Sequence, residues 1–129
     1  MARPMILVYN LSGERLSKLR FACMKTGLLL KTAQEEDFPR PIGAVCGIVD
    51  QEADDVPFVP FTDEMLVFAH MDHVSVNRFL QTVKQLRAPQ IALKAILTPT
   101  NARWHASQLH DELMAERAAI QGGQSPQHE

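Results

Sequence analysis

The sequence predicts an α/β (α+β) domain in which two β-α-β units form a ferredoxin-like split βαββαβ sheet, followed by a C-terminal helix. Three observations predict it. Continuous apolar runs begin at Met5 and at Met65, and each is followed by a helical pattern and a second short apolar run. The pattern repeats at a shift of sixty positions, so that Leu16, Leu19 and Cys23 lie over Val76, Phe79 and Val83, and Ser12 lies over Asp72. The two most apolar strands are the first and third, which a split sheet places antiparallel at its centre. A small doubly wound sheet with all strands parallel is the alternative that the same element order accommodates.

The first strand is Met5-Ile-Leu-Val-Tyr9, ended by Asn10. In the helix that follows, Ser12 is placed to accept a bond from the first-turn amides, and Glu14 favours the positive end of the dipole. Gly27 supplies the left-handed residue that closes it. Residues 28–33 read as the second strand, completing a first unit over 5–34. Residues 35–64 form an acidic connecting loop with four prolines and a single Arg. Within it only residues 41–49 are apolar enough to pack, as a short helix or buried turn, and the flanks read as solvated loop. The second unit spans 65–98, its fourth strand being residues 91–97, with Leu93-Lys94-Ala95 matching Leu30-Lys31-Thr32 after a three-residue slip. Thr98 as cap and Pro99 at the first helical position start a third helix over 99–121, in which Ala106, Leu109, Leu113 and Ile120 share one face. Residues 1–121 are thus one domain and 122–129 a disordered tail. The two crossover helices cover one face of a split sheet, so the third helix or a second subunit, in a homo-oligomer, is expected on the other.

A chain of 129 residues, 46% hydrophobic and 22% charged, has the composition of one globular domain. Its formal charge of −2 argues against nucleic acid or membrane as an electrostatic partner. No apolar run approaches the ~20 residues that span a bilayer, and the first nine residues lack a small-residue cleavage site, so a cytoplasmic protein is expected. The two cysteines, Cys23 and Cys46, form no Cys-x-x-Cys pair, which fits free thiols in a reducing compartment.

Thr98-Pro-Thr-Asn101 with Trp104 gathers hydroxyls, an amide and an indole at a helix N-terminus, where free N–H groups bind small anions; Lys94 would complete that site. The plainer account is a capped helix start with a packing Trp, Lys94 being the solvent face of an edge strand. His70, Asp72 and His73 form a secondary acid-base or metal candidate. Asp72 already serves as a helix cap, and adjacent side chains in a first turn do not converge on one ion, so neither metal nor other cofactor is expected. Gly43-Ala-Val-Cys-Gly47 lacks the Gly-Lys-Ser/Thr of a phosphate loop, and Cys46 has no basic sequence neighbour to activate it. The RNA-recognition fold shares this element order, but Leu7 stands where its first-strand stacking aromatic belongs.

Three stretches together resemble a family of small bacterial domains of unknown function, common in anaerobic Firmicutes: Ile6-Leu-Val-Tyr-Asn10, Pro41-x-Gly43 before the acidic loop, and Leu93-Lys-Ala-Ile-Leu-Thr-Pro-Thr-Asn101 with Trp104. The resemblance runs from Met5 to about Glu116 and implies a single soluble domain without an assigned activity. The expected function is a non-enzymatic module binding a small ligand or a protein partner. The alternative is an enzyme in which Lys94, Thr98, Thr100 and Asn101 hold a small anionic substrate while His70 or His73 moves a proton, which requires these groups to face one pocket. Nucleic-acid binding would need a continuous basic face along Arg15, Lys18, Arg20 and Lys25.

Overall fold

A computed structural model describes residues 3–47 and 61–121. Strand β1 (Met5–Tyr9) leads through helix α1 (Gly13–Thr26) to β2 (Leu29–Thr32), and a 3-10 turn (Glu35–Asp37) precedes the short helix α2 (Ile42–Val45). The second half repeats the order: β3 (Met65–Ala69), α3 (His73–Gln85), β4 (Leu93–Ile96), a 3-10 turn (Asn101–Arg103) and α4 (Ala106–Gln121). The four strands form one mixed sheet in the order β2-β1-β3-β4, with β1–β2 and β3–β4 parallel and β1–β3 antiparallel. The α+β class and the antiparallel central pair agree with the sequence.

The strand order differs from the interleaved one of a ferredoxin-like split, which would set β2 beside β3 and β4 beside β1. Here each β-α-β unit keeps its own strands adjacent. A crossover helix then sits over its own strand pair, and the centres of the two pairs lie two strand spacings, ~10 Å, apart. That is the distance at which helices pack, and α1 does pack along α3. The antiparallel β1–β3 pair excludes the all-parallel alternative.

The halves are related by an approximate two-fold axis that the strand register makes explicit. Met5 lies opposite Ala69, Leu7 opposite Val67 and Tyr9 opposite Met65, so exchanging positions sixty apart maps the pairing onto itself with Leu7–Val67 at its centre. Asn10 and His70 both leave their strands in the left-handed region, at φ 65° and 59°. Gly27 and Arg87, at φ 73° and 55°, both close a helix. Leu28 N–H donates to Cys23 O and Ala88 N–H to Val83 O, each at 2.9 Å. After that the shift becomes sixty-four, because Met5 faces Leu29 while Met65 faces Leu93. The slip between the halves is therefore four residues rather than three, taken up by residues 89–92. A one-residue error in a strand exchanges its faces. Lys94 consequently corresponds to Leu30, not to Lys31.

β1 and β3 are buried on both faces, as continuous apolar strands must be. On one face Ile6, Val8, Leu66 and Phe68 meet Leu19 and Cys23 of α1 and Val76, Phe79 and Val83 of α3. On the other, Leu7, Tyr9, Met65 and Val67 meet Ile42 and Val45 of α2 and Ala106 and Leu109 of α4. The second cover is thus supplied by the chain itself, the third long helix sharing it with α2. That helix starts at Ala106 rather than Pro99, since Trp104 returns to extended backbone (φ −81°, ψ 150°) after a single 3-10 turn. Ile120, expected on its buried face, is 57% exposed.

The caps are unequal. Ser12 occupies the N-cap of α1 without a side-chain bond, whereas Asp72 accepts Ser75 N–H at 2.8 Å, a bond that holds its carboxyl below the usual range. The apolar stretch expected as a short helix or buried turn holds α2, and the flank before it, expected as solvated loop, holds a 3-10 turn with Asp37 buried. Residues 48–60 of the acidic segment and the tail 122–129 lie outside the described residues. No described helix is long and apolar enough to cross a membrane.

Candidate functional site

The Thr98–Asn101 corner is a lock on a turn. Asn101 is buried; its Oδ1 accepts Thr98 N–H at 2.8 Å, its own N–H donates to Thr98 Oγ1 at 3.1 Å, and its Nδ2 donates to Ile96 O at 3.1 Å. The first half holds the same device sixty-four positions earlier, where Asp37 Oδ2 accepts Gln34 N–H at 2.8 Å and Arg40 Nη1 donates to Asp37 Oδ1 at 3.0 Å. The two locked turns lead into an antiparallel bridge between Pro41 and His105, which are also sixty-four apart, and Trp104 O accepts Ile42 N–H at 2.9 Å.

The five residues expected to hold an anion are therefore dispersed. Asn101 is spent on the lock, and Thr100 is exposed. Trp104 packs into the cluster under α2 and α4, whereas Lys94 pairs in register with Leu66 on the opposite face, beside α1 and α3. Strand alternation separates them: Leu93 faces one core and Lys94 the other.

The carboxyl ends of the two parallel strand pairs each open into a cleft, the place where open α/β sheets receive ligands. The second-half cleft, about 440 Å³, brings His70 and Thr98 together with Pro99 and Arg103. Its symmetry mate, about 590 Å³, has Asn10, Gln34 and Glu35 at the equivalent places. Because β1 and β3 are antiparallel, these clefts open at opposite ends of the sheet. Of the groups an enzyme would need in one pocket, this second-half cleft brings together only His70 and Thr98. Asp72 is an exposed cap, and Lys94, Thr100 and Asn101 do not line the cleft. Among the described residues no three His, Cys, Asp or Glu side chains are grouped to hold a metal ion.

Lys94 stands in different surroundings. It borders a cavity of about 240 Å³ walled by Leu66, Phe79, Val83, Pro89 and Ile91, with Lys84 also on its rim. Its Nζ donates to Ile91 O at 2.6 Å. Burial lowers its pKa, and the charge of Arg117 lowers it further, since both oppose the ammonium form. No carboxylate among the described residues pairs with it. On the adjoining surface Glu64 is held by both ends of the Arg15 guanidinium, and Asp63 lies 2.8 Å from His110 Nε2. At the equivalent place in the first half stands Leu30, with no counterpart of residues 89–92. The signal was present in the sequence: a slip of four rather than three puts Lys94 on the helix-covered face.

A second feature carries no local sequence signature. Tyr9, Phe38, Phe61 and His110 come from four separate segments and meet in sequence: Tyr9–Phe38 edge-on with centroids 5.3 Å apart, Phe38–Phe61 tilted at 5.2 Å, and Phe61–His110 stacked at 4.2 Å with an interplanar angle of 15°. The Tyr9 hydroxyl is buried without a hydrogen-bond partner among the described residues, and burial drives its pKa well above the ordinary phenol value. Tyr9→Phe is accordingly expected to stabilise the fold by about 1 kcal/mol in urea unfolding, and a loss of that size would show that the hydroxyl is bonded. The thiols are inert by the same physics: burial pushes Cys23 up to about 12 and Cys46 up to about 11, and they pack in opposite cores.

Residues 64–120 match the model of DUF3783, described as a domain of unknown function. The match opens one residue before β3 and ends within α4, so it coincides with the second half of the molecule and includes Leu93 to Asn101 and Trp104. Of the stretch from Met5 to about Glu116 expected to resemble a domain of unknown function, the match covers the part from residue 64 onward. No curated protein and no solved structure matches the chain.

Proposed function

We propose that this chain is a non-enzymatic module that binds a small anionic ligand in the cavity between α3 and β4, with Lys94 as the recognising group. The observation that carries this reading is a half-buried ammonium on an apolar wall with no described counter-charge. Such a group costs stability, because an ion taken from water needs a partner to offset the loss of hydration. The first half shows that the fold accepts leucine at this position. A lysine kept where leucine suffices is accounted for by an anion that completes the site. The separation of Lys94 from the Thr98–Asn101 corner and from His70 speaks for binding rather than catalysis, and the two free thiols, Cys23 buried and Cys46 partly buried, suit a reducing, cytoplasmic setting.

A thermal-shift series tests it. Lys94→Leu is expected to melt at or above the wild-type temperature without ligand, and to lose the upward shift that small anions give the wild type. Equal shifts in both proteins, or none in the wild type across carboxylates and phosphate, would overturn the reading.

A further inference from the structure

The chemistry around Lys94 also narrows what the anion is, an inference that rests on the binding role just proposed. We infer that the ligand is a monocarboxylate with an apolar body, of about ten non-hydrogen atoms in all. Size comes first. A cavity of ~150 Å³ holds benzene, so one of about 240 Å³ takes on the order of ten such atoms. Polarity comes next. Apart from Lys84, Lys94 and Gln90 the lining side chains are aliphatic or aromatic, and no hydroxyl or guanidinium is among them. A phosphate or sulfate requires a dense set of donors on three or four oxygens, usually a bidentate Arg or several backbone N–H groups. Two ammonium groups on the rim of an apolar chamber suit a single carboxylate at the mouth, with its chain inside.

Comparison of the two halves shows which parts of this chamber belong to the second half alone. Residues 89–92, which the first half lacks, supply Pro89, Gln90 and Ile91 of the wall and also the Ile91 carbonyl that aims the Lys94 ammonium. At the matching position the first half has Leu30, which packs against the core. The 89–92 part of the wall and the charge therefore occur together in one half and have no counterpart in the other. A carboxylate beside Lys94 would also offset the repulsion that Arg117 exerts on an unneutralised ammonium.

Isothermal titration of the full chain with octanoate, its neutral isostere octanamide, and inorganic phosphate tests the assignment. Octanoate is expected to bind at least about tenfold more tightly than octanamide, because a charge-assisted hydrogen bond contributes about 1.5–3 kcal/mol. Lys94→Leu should remove that preference, leaving the two probes equal. Val83→Phe, which fills the chamber while keeping Lys94, should weaken octanoate by a similar factor. Octanoate binding no tighter than octanamide to the wild type, an outcome that needs no variant to fold, overturns the inference. Phosphate binding that depends on Lys94, without octanoate binding, overturns the carboxylate class and leaves the anion-binding reading standing. Failure of both anions overturns both.

Discussion

Asn101→Ala is expected to destabilise the domain by about 1–3 kcal/mol, because it leaves Thr98 N–H without its acceptor and Ile96 O without its donor at a part-buried turn. The loss would appear as a lower denaturation midpoint with an unchanged slope. Asn101→Asp should cost a comparable amount: it keeps the acceptor for Thr98 N–H but offers no proton to Ile96 O and buries a charge. The first half shows what that charge would need. Asp37 occupies the equivalent position and is met by Arg40 at 3.0 Å, whereas the residue at the place of Arg40 in the second half is Trp104. A change under about 0.5 kcal/mol for Asn101→Ala would mean that water serves the turn as well as the amide does.

The other large effect is in the core that faces α1 and α3. Phe79 is fully buried, meets Phe68 edge-on with centroids 6.0 Å apart, and forms part of the wall beside Lys94. Phe79→Ala is expected to cost about 3–5 kcal/mol, a large share of the ~5–15 kcal/mol that holds a domain of this size together. Phe79→Leu should cost only about 1–2 kcal/mol, since Leu19 fills the equivalent position in the first half. Urea unfolding of both variants checks the pair. Equal losses would show that the two halves do not pack alike around their axis.

Local patterns made much of the architecture legible. The runs at Met5 and Met65 are apolar throughout because β1 and β3 are covered on both faces, and the three-and-four spacing of Leu16, Leu19 and Cys23 repeats in α3 because both helices lie on the same layer. Non-local choices were not legible. The Leu-Lys pairs at 30–31 and 93–94 suggest a three-residue slip, but β4 is placed by hydrogen bonds to β3, which put Leu93 opposite Met65. Pro99 reads as a helix start, yet the chain at Trp104 and His105 is held extended by its bridge to Pro41 and its bond from Ile42, contacts no local window contains. The pairing of β2 with β1 and of β4 with β3, rather than interleaving, is likewise a choice made across the whole sheet. Of the candidate site, the Thr98–Asn101 stretch was visible as a special corner because its residue types cap turns, and that structural role is the one it performs. Lys94 was visible as a charge near it; its separate cavity depends on register.

The state of Lys94 tests the account most directly, and side-chain NMR of the lysine Nζ groups through a pH titration reads it. Burial and Arg117 disfavour the ammonium, so Lys94 is predicted to titrate below the ordinary lysine value of 10.5. The cost of holding its charge is present below that lowered value and is relieved as pH rises through it. Occupancy of the cavity by a carboxylate should move the midpoint back up. A Lys94 that titrates at the ordinary lysine value, with or without carboxylate, would contradict the claim that this half of the molecule keeps an unneutralised cation for a ligand.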